Sequence, residues 1–148
     1  MTVHEIEARG VAVRPFELAA GCWLVVAVAG TVVGLLERWP AQFGGAGSPA
    51  HVGAELMGRG TALSPPIFMI ALMVLALGLA RMPAARTAGM VLAALVGLVG
   101  VVGAFGEVVA AATPDVPRDV QYLGLVGVAL SLVVVVTAVR ALVVARRG

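Results

Sequence analysis

Few side chains in this sequence are equipped for chemistry, and their placement is uneven. The apolar stretch GLVGVVGAFGE, residues 97–107, ends on a carboxylate, and nothing between Arg86 and Glu107 is charged. A carboxylate carried along an apolar helix is a protonatable or cation-binding group if it is buried and paired, and an interfacial charge if water reaches it. Counted outward from Ala88, Glu107 lies about 28 Å along a helix, near the far edge of a hydrocarbon layer about 30 Å thick.

A second set sits in the polar segment from Glu37 to Thr61. His51 and Glu55 stand four residues apart, so a helix there would stack them on one face, and Arg59 follows just beyond as a further candidate. A His/Glu pair can begin a metal site or an acid–base pair, but it supplies two ligands where zinc takes three or four. No metal site and no cofactor is therefore expected. Together with Glu107, Asp115, Arg118 and Asp119, these residues form a charged outer face best read as solvated ion pairs. Glu17 is expected in the first turn of a span, favoured there by the helix dipole and paired with Arg14.

Cys22 is the only cysteine, which excludes an intrachain disulfide, a CxxC redox pair and a cysteine-rich metal site. LAAGC at residues 18–22 is no lipoprotein box, because the apolar run follows the cysteine instead of preceding it. The acidic tail and the length of that run also argue against a cleaved signal. There is no GxSxG, no HExxH, no phosphate loop and no intramembrane histidine pair.

The elements that must position these residues are membrane helices. With 61% hydrophobic and 12% charged residues, the chain departs from soluble domains, where about 45–50% apolar and about 25% charged are usual. Four spans are expected, at 16–36, 62–80, 88–112 and 121–139, with an outer loop 37–61, an inner turn 81–87 and an outer turn 113–120. The fold class is thus an all-α integral membrane protein, an up-down antiparallel bundle of four transmembrane helices in a single domain. Ser48-Pro49 predicts the start of a short interfacial helix over 50–57, with Val52, Leu56 and Met57 towards the membrane and Gly58 and Gly60 ending it. Ser64-Pro65-Pro66 repeats that signal, so the second span begins at Ala62 or at Pro65. In the latter case residues 61–64 cross the remaining depth as irregular backbone.

Arg9, Arg14, Arg81, Arg86, Arg140, Arg146 and Arg147 fall on one side of this topology and only Arg38, Arg59 and Arg118 on the other, which places both termini in the cytoplasm. Every basic residue is arginine, a codon-usage mark of a GC-rich bacterial genome, and hence of a bacterial cytoplasmic membrane. The scattered arginines exclude a nucleic-acid stripe.

Glycines 97, 100, 103 and 106 wind around their helix, whereas Ala93, Gly97, Gly100, Ala104 and Glu107 share one face. Gly30 and Gly34 form a GxxxG on the first span, beside Ala20, Ala27 and Thr31. Gly127, Ser131 and Ala138 line the fourth. Such small-residue faces let helices approach closely in lipid. The expected function is a non-enzymatic accessory or scaffold subunit acting through helix packing, as a homo-oligomer or with other membrane subunits. The alternatives are a small transporter or channel using Glu107, and an outer-face lipid or envelope enzyme using His51 and Glu55.

Overall fold

The computed structural model describes the backbone of residues 3–40, 47–61, 63–109 and 118–147, and the side chains of 13–40, 47–61, 63–103 and 125–146. The described residues form five helices joined by turns, in the order α1 (Val3–Leu36), α2 (Val52–Glu55), α3 (Ile67–Arg81), α4 (Arg86–Val109) and α5 (Arg118–Arg147), with no strand among them. Three segments are long and apolar enough to cross a membrane: Val13–Leu36, Arg86–Gly103 and Leu125–Arg146. Helix α3, at 15 residues, is shorter, about 22 Å long.

Two helix starts differ from expectation. Helix α1 runs through Pro15 instead of beginning beside it. The proline removes one hydrogen-bond donor, and twelve helical residues precede it, from Val3 to Arg14, so the ladder continues on both sides. Glu17 therefore lies well inside a helix, not in its first turn, and its partner is Arg81 of α3, with Oε1 3.6 Å from the guanidinium Nε. Helix α3 begins at neither Ala62 nor Pro65. A residue before proline is pushed towards extended backbone, and Pro66, with ψ 145°, is still extended where it caps the helix.

Helix α2 is shorter than the expected 50–57. His51, not Ser48, occupies its N-cap and makes no side-chain cap, while the Ser48 hydroxyl accepts from the Ala50 N–H at 3.4 Å. Val52 and Leu56 are buried, but Met57 is exposed.

The long helices pack in a closed order, α1 against α3 and α5, and α4 against α3 and α5. Their contacts run in opposite senses along each pair. Gly89 abuts Ala76 and Ala80 while Gly100 lies near Met69, and Gly97 meets Val134 and Val135 while Gly100 meets Ser131. Along α1 and α3, Glu17 meets Arg81 and Gly30 meets Leu63. The shared interior takes Phe16, Ala20, Trp23 and Ala27 from α1, Met69, Met73, Ala76 and Ala80 from α3, Met90, Ala93 and Val96 from α4, and Val134, Ala138 and Ala141 from α5. On α1, α3 and α5 these residues alternate steps of three and four, the seam that lets nearly antiparallel helices stay in contact, and on α4 they step by threes. Large apolar side chains point outward in turn, Leu18, Val25, Val32 and Leu36 on α1 among them. That inversion is tolerable when the surrounding medium is hydrocarbon.

Candidate functional site

Two polar centres lie between the helices. The first is a turn sunk beside α1. Gly60 has φ +71°, which an L side chain adopts only at a cost, and the backbone of residues 64–66 lies against it, where a Cβ would strike; next to it Thr61 and Ser64 pair. The Thr61 N–H donates to the Ser64 carbonyl at 3.0 Å and the Ser64 N–H to the Thr61 carbonyl at 3.3 Å. Their hydroxyls are 3.1 Å apart, and Thr61 Oγ1 also accepts from the Leu63 N–H at 3.3 Å and reaches the Gly30 carbonyl at 3.5 Å. The next N–H after Ser64 belongs to Ile67, because Pro65 and Pro66 have none, and it donates to the Leu56 carbonyl at 3.2 Å. The two prolines thus remove donors that would otherwise need partners in this part-buried turn.

Gly30 and Gly34 make room for this turn. A Cβ on Gly30 would strike the Leu63 carbonyl, and one on Gly34 would strike the Thr61 side chain. The GxxxG of α1 receives a turn, not a neighbouring helix. Gly30 is six residues from Leu36, so the turn reaches about 9 Å below the end of α1.

The second centre is Ser131 of α5. Trp23 of α1 donates its indole N–H to Ser131 Oγ at 2.8 Å, with the two residues 4% and 3% exposed. Gly97 and Gly100 of α4 bring their backbone to the same spot: a Cβ on Gly97 would come within 3.0 Å of the Ser131 carbonyl, and one on Gly100 within 2.9 Å of Ser131 Oγ. Ala93 is fully buried one turn away. A Cβ on Gly127, expected on this face, would meet nothing within 4 Å among the described residues, while the neighbouring Val128 is buried. The side chain of Ala104 lies outside the described residues.

Of the residues expected to form the charged outer face, His51, Glu55 and Arg59 have described side chains. Glu55 accepts from the Ser48 N–H at 3.3 Å and pairs with Arg59 at 3.4 Å, so its carboxylate ties α2 to the preceding loop. His51 is exposed and is not one of its partners. Glu107 stands on helical backbone in α4, but its side chain, like those of Arg118 and Asp119, lies outside the described residues, as does all of Asp115. Among the described residues no three of His, Cys, Asp and Glu come together as metal ligands. Cys22 is exposed on α1.

Trp23, the Thr61–Ser64 pair and Gly89 went unflagged in the sequence. Trp23 had a usable signal, since an indole N–H in the middle of an apolar span needs an acceptor on another helix. Gly89 had none, as one glycine among nineteen. The chain matches no family model, no curated protein and no solved structure.

Proposed function

We propose that this chain is a small polytopic protein of a bacterial cytoplasmic membrane, with four spans in an up-down bundle and both termini in the cytoplasm, serving as a non-enzymatic accessory or scaffold subunit. Its work is contact: it holds a second copy of itself or other membrane subunits through helix packing. The observation that carries this reading is how the described interior spends its polar groups. The buried hydroxyls and the buried indole N–H bond to one another, and Gly30 and Gly34 of α1 and Gly89, Gly97 and Gly100 of α4 admit a turn or a neighbouring helix at close range. An interior closed in this way serves shape, whereas a transport path keeps polar groups turned to a water-filled cavity.

Purification from native membranes in mild detergent, followed by mass determination of the complex, tests the reading. A discrete homo-oligomer or a stoichiometric membrane partner is expected. A solitary monomer whose proteoliposomes conduct protons or cations, with flux lost in Glu107→Gln and folding retained, would replace the scaffold by a transporter.

A further inference from the structure

We propose that the arginine-rich end of the molecule binds the phosphate groups of anionic phospholipids. The end is defined by contacts. Glu17 of α1 pairs with Arg81 at the close of α3, and Arg86 at the start of α4 donates its Nε to the Ala80 carbonyl at 3.4 Å. Helix α5, running opposite to α4, brings Arg140 and Arg146 to the same end. Arg14, Arg81, Arg140 and Arg146 are exposed there and Arg86 is half-buried.

Charge at this end cannot be balanced from within. By sequence it carries Arg9, Arg14, Arg81, Arg86, Arg140, Arg146 and Arg147 against Glu5, Glu7 and Glu17, so 7 − 3 leaves +4 even if every carboxylate is paired. The remaining charges, Arg38, Arg59 and Arg118 against Glu37, Glu55, Glu107, Asp115 and Asp119, give 3 − 5, or −2. The first turn of α4 adds to the excess: it opens on Arg86 and contains no acidic residue, although that end of a helix favours negative charge. One or two turns further into the helices, Leu18, Val74, Leu75, Val136 and Val139 are exposed. A cationic rim directly above an apolar wall matches an amphiphile with a phosphate head and acyl chains, and this selects a lipid over a free anion. Arginine suits the task because its planar fork pairs two donors with phosphate oxygens.

The test uses the full chain in mild detergent, titrated with phosphatidylglycerol or with phosphatidylcholine of the same acyl chains, with retained lipids counted by native mass spectrometry. Because an arginine near an anionic surface contributes about fivefold in affinity, the wild type should prefer phosphatidylglycerol by about tenfold or more. Arg14→Gln/Arg86→Gln should bring that preference to within about twofold, while the charge-matched Arg38→Gln/Arg118→Gln should leave it unchanged. If the first pair fails to fold, Arg140→Gln/Arg146→Gln, both at exposed positions, gives the same reading. No headgroup preference in the wild type, equal loss in both double variants, or displacement of the lipid by millimolar inorganic phosphate would overturn the proposal. In micelles both ends meet the same lipids, so the result does not depend on orientation. It also stands apart from the scaffold reading, which can fail on partner isolation while lipid selectivity persists.

Discussion

Trp23 and Ser131 show what a single polar pair does when the surroundings are apolar. Neither group has water as an alternative partner, yet unfolded helices in lipid also find partners, so such bonds are worth only about 0.6–1.7 kcal/mol. A double-mutant cycle of Trp23→Phe and Ser131→Ala should therefore show a coupling in that range, measured by thermal or denaturant unfolding in detergent; strict additivity would mean that the bond contributes nothing. Arg38 presents a different residue-scale case. It has φ 53°, and its N–H and that of Trp39 donate to the Leu35 and Gly34 carbonyls at 3.3 and 2.9 Å, closing α1 with a left-handed cap usually built on glycine. Arg38→Gly and Arg38→Ala remove the same charge, so comparing them isolates the backbone. The glycine variant should be the more stable by about 1 kcal/mol, and equal melting temperatures would count against a strained cap. The Glu17–Arg81 pair is too exposed to matter comparably: Glu17→Gln should change stability by less than about 0.5 kcal/mol in the same unfolding assay.

At the scale of elements, the three long spans were legible because length and apolar composition alone define them. The small-residue faces were legible as surfaces but not as to their occupants. Gly30 and Gly34 present the spacing of a helix–helix contact, and spacing carries no information about which backbone arrives; here it is the Thr61–Ser64 turn. The late start of α3 follows from Pro65 and Pro66 acting in series, where each proline extends the residue before it. The persistence of α1 through Pro15 was not legible, because proline is equally at home in a first turn and in a membrane helix whose neighbours compensate. The structure separates two glycines that look alike in sequence. Gly30→Ala should destabilise by about 1–3 kcal/mol through its collision with the Leu63 carbonyl. Gly21→Ala, with nothing within 4 Å, should stay within about 0.5 kcal/mol. Equal effects in a melting assay would mean that the turn is not seated on α1.

For the whole molecule, what holds the chain together is distributed over four helices whose main contacts are each with two others, with alanines and glycines at the closest approaches, Phe16, Trp23 and three methionines filling the interior, and many large apolar side chains facing outward. This arrangement makes sense only where the exterior is lipid, and it leaves α3 as the critical element. At 15 residues it is short for a span, and the account holds that the sunken turn ahead of it, sealed by its own hydrogen bonds, completes the crossing. If so, Ala50 and Ala84, on either side of α3, lie on opposite faces of the membrane. The direct measurement is labelling of single cysteines at these two positions, in a Cys22→Ala background, by a membrane-impermeant thiol reagent in intact cells. Ala50→Cys should react at once and Ala84→Cys only after the membrane is opened. Reaction of both from the outside would show that α3 does not cross, and the four-span account would fall with it.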